Sequence, residues 1–372
     1  MVIFFRELKK KIDIDIITGL CVLFLVGTSV LMIGSTHIST GFWGRDTLIQ
    51  SASFVLGLVG CLIISKFHFS TFKGHWKILY ALSIILIMLV YVPGLGIVQG
   101  GSRAWISLGF ITLQPSEFVK IIFILLMAEY LEKNQENLYN FKGLIKAVLF
   151  AAPIILIVLK EDLGTALVFS SIWLFMIFYA GIDLKIIGKF FALLLAFIPA
   201  AYLFMAPYQK NRIEAFLHPE NLNLPGNYQV FQGKVAMGSG GLFGKGLFNG
   251  TQKELDFIPV QTSDFIFSVL IEELGFIGGL IVIAVFTILL FRLTQIVREC
   301  VDIYGAMIVV GVIGMFSFQI FENIAMNMGL MPVTGITLPF LSYGGTSMLS
   351  CTLSIGLVWN VASRARGMRI SH

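Results

Sequence analysis

The chain has 372 residues, of which 57% are hydrophobic and only 13% are charged, and its mean hydropathy is +0.90. Soluble domains carry roughly 25% charged residues, so this composition excludes an ordinary soluble protein and predicts an integral membrane protein. The net charge is +5, but the basic residues are scattered over loops without forming a stripe, which argues against nucleic-acid binding.

The apolar runs predict an all-α polytopic membrane protein with about ten transmembrane helices. A helix needs about 20 apolar residues to cross the hydrocarbon core of a bilayer. Runs that meet this requirement are separated by polar loops or turns. In chain order, the predicted spans are residues 14–35, 47–65, 77–93, 115–131, 144–160, 163–181, 186–206, 264–291, 303–328 and 344–362.

The distribution of Lys and Arg predicts the orientation of these spans. Ten spans put both termini on one side, and that side collects 17 of the 26 basic residues, against 8 on the other. Loops rich in Lys and Arg stay in the cytoplasm. We therefore expect cytoplasmic termini and one large extracellular loop, residues 207–263, between helices 7 and 8.

This large loop contains two recognisable segments. Tyr228, Phe231 and Val235 share one face of a helix-like stretch, which predicts an amphipathic helix on the membrane surface. Residues 238–246 (GSGGLFGKG) are not a nucleotide-binding loop, because no glycine lies five residues before Gly244 and no Ser or Thr follows Lys245. A tight turn with exposed backbone N–H groups is favoured over a phosphate cradle.

Several charged residues lie at the predicted ends of the spans. Arg103 stands beside Trp105, where it suits either phosphate oxygens or loop carbonyls. Glu117 and Lys120 are three residues apart at the start of the fourth span and share a helix face. Either they form a buried ion pair, or Lys120 is a cation that binds a diphosphate. Asp162 is placed to cap the sixth span.

Asp264 lies where the long polar loop meets an apolar run, and Glu272 and Glu273 follow inside that run. A charged group in hydrocarbon costs about 2.5 kcal/mol or more, so such residues are rarely retained without a role. An acid at this boundary is placed to act on a substrate with a polar head in water and a tail in the membrane. Asp264 is therefore the main candidate for catalysis.

Two further polar regions accompany these acids. A stripe in the ninth span follows helical spacing and predicts a face turned to the bundle interior or to a wet cavity: Gln319, Glu322, Asn323, Met326 and Asn327. Residues 332–347 are rich in hydroxyl groups and glycine, which is typical of the lining of a cavity at membrane depth. Ser342 and Tyr343 in this segment are candidate substrate contacts.

Eight stretches together resemble the SEDS family (shape, elongation, division and sporulation), which comprises RodA, FtsW and SpoVE. They run in the family's order over nearly the whole chain: 101–105 (GSRAW), 114–120 (QPSEFVK), 162–166 (DLGTA), 238–246 (GSGGLFGKG), 263–267 (SDFIF), 272–275 (EELG), 327–335 (NMGLMPVTG) and 339–347 (PFLSYGGTS). The short termini resemble the RodA branch.

The resemblance implies a peptidoglycan glycosyltransferase of the bacterial cytoplasmic membrane that polymerises lipid II at the outer face, for cell-wall elongation and rod shape. The reaction inverts the α-diphosphate to a β-1,4 link. In this reading Asp264 is the general base, and Arg103, Lys120 and Lys245 are candidate contacts for the diphosphate. Glu117 and Asp162 are further candidate residues of the substrate site.

The family also implies a divalent cation and a protein partner. Mg²⁺ or Mn²⁺ prefers carboxylate and phosphate oxygens, so Asp264, Glu117 and Asp162 are its candidate ligands. The implied partner is a class B penicillin-binding protein, the transpeptidase that cross-links the new glycan; undecaprenyl-diphosphate-linked glycan is the other implied ligand.

Two departures from the family's common pattern matter, one before Asp264 and one before Asp162. The family commonly reads Pro-Glu-x-His-Thr-Asp before the acid, whereas Val260 and Thr262 stand at the Glu and His positions here. Glu161 stands where the family commonly has Pro. The missing His supports one alternative, an inactive scaffold for the transpeptidase. Glu322 and its polar stripe support another, a flippase or transporter of a lipid-linked precursor.

Overall fold

The computed structural model of the protein describes residues 15–36, 41–99, 101–107, 109, 111–138, 140–183, 185–189, 192, 202–203 and 205–370. Helices dominate this part of the chain. Twelve of them are named here: α1 (Ile16–Thr36), α2 (Arg45–Lys66), α3 (Trp76–Met88), α4 (Pro115–Lys133), α5 (Phe141–Glu161), α6 (Leu163–Tyr179), α7 (Pro207–Leu217), α8 (Asn227–Gly240), α9 (Thr251–Glu254), α10 (Ile266–Glu299), α11 (Ile303–Asn327) and α12 (Gly345–Ile370).

Nine of the predicted spans coincide with helices: α1 to α6 and α10 to α12. Among the described residues, α1, α2, α5, α10 and α11 are long and apolar enough to cross a membrane, and α6 and the α3 region are apolar but shorter. The protein is therefore a multi-pass membrane protein. Most of the seventh predicted span, 186–206, falls in the part of the chain that is not described, so the count of ten and the sidedness stay predictions.

The prediction of an all-α protein is wrong between α3 and α4. Strands β1 (Gly96–Gln99), β2 (Ser102–Ser107) and β3 (Thr112–Leu113) form an antiparallel sheet in which β2 is central. Alternating residues of β2 point inward, with Ala104 and Ile106 buried. Gly101 and Gly109 adopt positive φ at the ends of β2, so the chain reverses in segments too short to cross a membrane.

Close approach of the helices depends on small residues. A Cβ at Gly311 of α11 would lie 2.7 Å from Ile124 of α4, and one at Gly57 of α2 would lie 2.7 Å from Thr352 of α12. Because lipid tails are as apolar as the helices, packing of this kind replaces the hydrophobic effect as a source of helix association. Helix α11 packs against α4, α6 and α10 and forms the centre of the bundle.

Helix α10 is broken at Gly275, which has a φ of 70° and a ψ of −175°. The segment 238–246 docks into this break. Lys245 and Gly246 donate their backbone N–H groups to the carbonyls of Glu272 and Glu273, both at 3.0 Å. Beyond the break, Phe276 donates to the carbonyl of Gly241 at 2.9 Å. Residues 238–240 are the last turn of α8, and the predicted turn comprises only residues 241–246. Two of its N–H groups satisfy helix carbonyls, so the prediction that they are exposed is wrong for Lys245 and Gly246.

Two ion pairs fix the loop before α10 to that helix, one from Lys245 and one from Lys253 of α9. The Nζ of Lys245 lies 2.7 Å from Oε1 of Glu272. Lys253 pairs with Glu273, and both side chains are almost fully buried. Ser35 of α1 donates to Glu273 at 2.5 Å. The two acids inside the apolar run therefore have their charges compensated within the protein, which removes most of the cost of placing them there.

The break in α10 predicts that substitution of Gly275 lowers the stability of the protein. An alanine Cβ would lie 2.3 Å from the nitrogen of Gly244, and its backbone would occupy a region that only glycine adopts easily. We expect Gly275→Ala to lower the free energy of unfolding by roughly 1–3 kcal/mol, measured by thermal unfolding in detergent.

The matched control is Gly238→Ala, because nothing lies within 4 Å of a Cβ at that helical position. It should leave stability unchanged or raise it. Equal melting temperatures for the two variants would show that the break does not need glycine.

Candidate active site

Asp264 lies in the loop that immediately precedes α10, and its main chain is anchored by α11. Its carbonyl accepts hydrogen bonds from Nδ2 of Asn323 at 3.1 Å and from Nδ2 of Asn327 at 2.9 Å. Asn327 in turn accepts from the Ser268 hydroxyl at 2.6 Å. The predicted polar stripe therefore faces the bundle interior, where it positions the candidate catalytic acid.

The side chain of Asp264 faces the segment 334–336. Gly335 has a φ of 76°, and a Cβ there would lie 3.6 Å from Oδ2 of Asp264. The hydroxyl of Thr334 bonds the buried Glu322, and its carbonyl accepts from Nη1 of Arg212 at 2.8 Å. This segment therefore brings α7 and α11 together beside the acid.

Asp162 lies near the same segment, at the start of α6. It caps the helix as predicted, accepting from the Gly164 N–H at 3.0 Å and from the Thr165 hydroxyl at 2.6 Å. Gly164 lies against Thr334, where a Cβ would be 2.9 Å from the Thr334 carbonyl oxygen. The structure thus joins Asp264 and Asp162 around one loop.

The surroundings of Asp264 raise its pKa from the usual 3.8 to about 6. Burial raises it most; the hydrogen bond with Ser263 and the charge of Arg212 lower it, and the charge of Asp162 raises it. A carboxylate with this pKa is mostly ionised at neutral pH and is a stronger base than an ordinary aspartate. That property suits a general base.

Arg212 is the functional candidate that the sequence did not indicate. It is one of five basic residues in the long loop and belongs to no motif quoted for the family. Its guanidinium lies 5.7 Å from the ring centre of Tyr208 and reaches Thr334, which is 122 residues away in the chain. Only the tertiary fold brings this cation to the acid.

Glu117 and Lys120 form the buried ion pair that was one of the two predicted alternatives. The Nζ of Lys120 lies 2.8 Å from Oε1 of Glu117, and Lys120 is 1% exposed. The other carboxylate oxygen accepts from the Ser350 hydroxyl at 2.8 Å. Contact of either residue with a substrate stays a prediction, and in this arrangement it would require the pair to open.

The remaining predicted contacts lie at three places. Arg103 is exposed on β2, and Lys245 pairs with Glu272 at the break in α10. Ser342 donates its hydroxyl to the Ser263 carbonyl at 2.6 Å, and Tyr343 donates its N–H to the Thr262 carbonyl at 2.9 Å. The last two residues therefore support the chain on which Asp264 stands.

The predicted cation ligands do not form one cluster. Within the described ranges no group of three or more His, Cys, Asp or Glu side chains is close enough to hold a metal ion. Both carboxylate oxygens of Glu117 and both of Asp162 already accept hydrogen bonds. Of the three candidates, Asp264 best fits a cation, with substrate phosphates as further ligands. Dependence on Mg²⁺ or Mn²⁺ stays a prediction.

The sequence profile of the FtsW/RodA/SpoVE family, described as cell cycle protein, matches residues 13–367. The chain belongs to this SEDS family. Stage V sporulation protein E of Bacillus subtilis is 35% identical, over 96% of this chain and 99% of that protein. The peptidoglycan glycosyltransferase MrdB of Escherichia coli K12 is 34% identical, over 94% of each chain. These matches confirm the predicted family.

The fold also matches a solved structure over nearly the whole chain. A chain of a peptidoglycan synthase complex that coordinates polymerization and crosslinking aligns with a TM-score of 0.76 and 27% identity, over 92% of this chain and 97% of that one. Among the curated relatives, proteins named for SpoVE, MrdB, FtsW and RodA are all 30% to 36% identical. Sequence identity therefore does not single out one branch.

The buried pair of α4 predicts a distinctive stability pattern. Lys120→Met should lower the free energy of unfolding by about 3–5 kcal/mol, because it leaves Glu117 uncompensated. The double variant Lys120→Met with Glu117→Gln should recover most of that loss, measured by thermal unfolding in detergent.

The double variant also tests a role in substrate binding. If it folds and retains activity, the pair serves the structure alone. If it folds stably and has lost polymerisation, Lys120 or Glu117 acts on the substrate, as the sequence predicted.

Proposed function

We propose that this protein polymerises lipid II into β-1,4 glycan strands at the outer face of the bacterial cytoplasmic membrane. The single observation that carries the proposal is the placement of Asp264, Arg212 and Asp162 around the segment 334–336, where the pKa of Asp264 is raised to about 6. MrdB, at 34% identity, is named a peptidoglycan glycosyltransferase. A glycosyl transfer of this kind needs a base near neutrality and positive charge for the leaving diphosphate.

In the proposed reaction, Asp264 takes the proton of the C4 hydroxyl of one N-acetylglucosamine. That oxygen attacks the anomeric carbon of N-acetylmuramic acid on a second lipid, and the bond to undecaprenyl diphosphate breaks. Attack opposite the leaving group converts the α-diphosphate to a β link. Arg212, a cation close enough to affect the charge state of Asp264, is placed to stabilise the negative charge of this site.

The proposed partner is a class B penicillin-binding protein, and the proposed role is cell-wall elongation. The solved structure with a TM-score of 0.76 belongs to a complex that couples polymerization to crosslinking. Transport of a lipid-linked precursor is the second candidate. It is favoured by Glu322, a fully buried acid of α11 whose Oε2 has no hydrogen-bond partner in the part of the chain that is described.

Asp264→Asn tests the general base. We expect the variant to fold and to polymerise at least about 100-fold more slowly than wild type, because an amide cannot accept the proton. The assay follows glycan from lipid II on a gel, with the transpeptidase partner and with Mg²⁺ or Mn²⁺ present.

Asp256→Asn is the matched control, since that acid lies eight residues earlier and is exposed. It should retain activity. A folded wild type that makes no glycan with any partner would contradict the polymerase and favour a scaffold or a transporter, and a vesicle assay of lipid II movement then separates these two.

The pKa of Asp264 predicts the pH dependence of polymerisation. The base is ionised above its pKa, so the rate should be retained at pH 7 and fall as the pH drops through about 6. Because Arg212 lowers this pKa, Arg212→Gln should move the fall in rate to higher pH. Lys210→Gln, on the same helix, should leave the pH of this fall unchanged. A wild-type rate that falls only near pH 4 would contradict Asp264 as the general base.

A further inference from the structure

A cleft lies on the side of Arg212 formed by α7, α8 and the segment 329–333. The cleft is open to solvent at its mouth. Arg212 and Phe216 line it from α7, Asn227 and Lys234 from α8, and Pro332 and Val333 from the connecting segment. This space, here called the Arg212 cleft, is separate from every residue that the sequence assigned to the substrate.

The charges of the Arg212 cleft are all positive. Arg212 and Lys234 line it, and no Asp or Glu does. Within the described ranges neither cation has a carboxylate oxygen within 4.0 Å, unlike Lys120, Lys245 and Lys253. Unpaired cations on two different helices that line one cleft form a site for an anionic group.

Both cations have donors available to a ligand. Arg212 uses Nη1 on the Thr334 carbonyl at 2.8 Å, and a guanidinium has five N–H donors in total. The Nζ of Lys234 lies above Gly329, where a Cβ would be only 3.3 Å away. Glycine at this position, with a φ of 74°, therefore leaves the ammonium group room at the wall of the cleft.

The cleft adjoins the candidate base through Arg212. This cation lowers the pKa of Asp264, and the residue it bonds, Thr334, precedes the Gly335 that faces the Asp264 carboxylate. An anion in the cleft would share Arg212 with the reacting acid. The cleft is thus placed for a charged part of the substrate that lies beside the reacting sugar.

We propose that the Arg212 cleft binds an anionic group of the lipid-linked substrate through Arg212 and Lys234. The inference rests on the proposed function for the identity of the substrate. Phosphate and carboxylate oxygens share the required chemistry, and lipid II carries both, as its diphosphate and as the carboxylates of its peptide. Of the two, a diphosphate fits the planar guanidinium of Arg212 and the ammonium group of Lys234 best.

The test measures binding directly, without lipid II. Thermal unfolding of the full-length protein in detergent is titrated with inorganic pyrophosphate and, separately, with glutarate at matched ionic strength. A ligand that binds the folded state raises the melting temperature in a saturable manner. We expect pyrophosphate to do so, and Lys234→Gln to weaken its apparent affinity about tenfold.

Lys210→Gln is the matched control, because Lys210 lies on α7, contacts the Leu203 carbonyl and does not line the cleft. It should bind pyrophosphate as wild type does. Lys234 is exposed, so its substitution should not disturb folding. In the polymerisation assay, Lys234→Gln should raise KM for lipid II more than it lowers kcat.

The responses to the two probes distinguish the two anionic groups and can overturn the inference. Pyrophosphate binding that depends on Lys234 supports a diphosphate subsite, and glutarate binding with the same dependence supports a subsite for the peptide carboxylates. No saturable binding of either probe, or equal binding by wild type and Lys234→Gln, overturns the inference. Because the binding assay needs no glycan synthesis, an inactive protein that still binds pyrophosphate would refute the proposed function alone.

Discussion

The contact between the Asp264 carbonyl and two amide side chains of α11 determines where the acid stands. Asn323 bonds this carbonyl and also the Ile336 carbonyl at 2.8 Å, while Asn327 bonds it and also accepts from Ser268. An unpaired amide in an apolar interior costs on the order of 1–3 kcal/mol by mutational measures. The register between α11, the start of α10 and the segment 334–336 is therefore strongly specified.

The acids near the ends of the spans divide into two groups according to their partners. Glu117, Glu272 and Glu273 each form a direct ion pair with a lysine. Asp264 is affected by Arg212 but, within the described part of the chain, no cation lies at ion-pair distance from it. A carboxylate that is paired with a lysine serves to stabilise the structure. A carboxylate without an ion-pair partner keeps an oxygen that can accept a proton from a substrate.

Sequence predicted the features that depend on short-range pattern. Apolar runs located nine helices, helical spacing located the buried stripe of α11, and the position of Asp162 before an apolar run identified a cap. The sheet between α3 and α4 was missed because a search for 20-residue runs does not detect strands of two to six residues.

Features that depend on contacts distant in sequence could not be predicted. The turn at 241–246 is recognisable from its glycines, but its partner is the break at Gly275, a backbone conformation that the sequence of α10 does not indicate. Arg212 reaches Thr334 across 122 residues, and Lys234 lines the same cleft only because α7, α8 and the segment 329–333 pack together. No local spacing rule connects these positions.

The departures from the family pattern before Asp264 leave its support in place. At position 262, where the family commonly has His, the contact to Tyr343 is made by the main-chain carbonyl of Thr262, which any residue supplies. Val260, with a φ of 56°, accepts from the N–H groups of Ser263 and Phe265 through its carbonyl. The turn that presents the acid is thus held through backbone atoms. The residue type at position 262 therefore does not affect this backbone anchoring of Asp264.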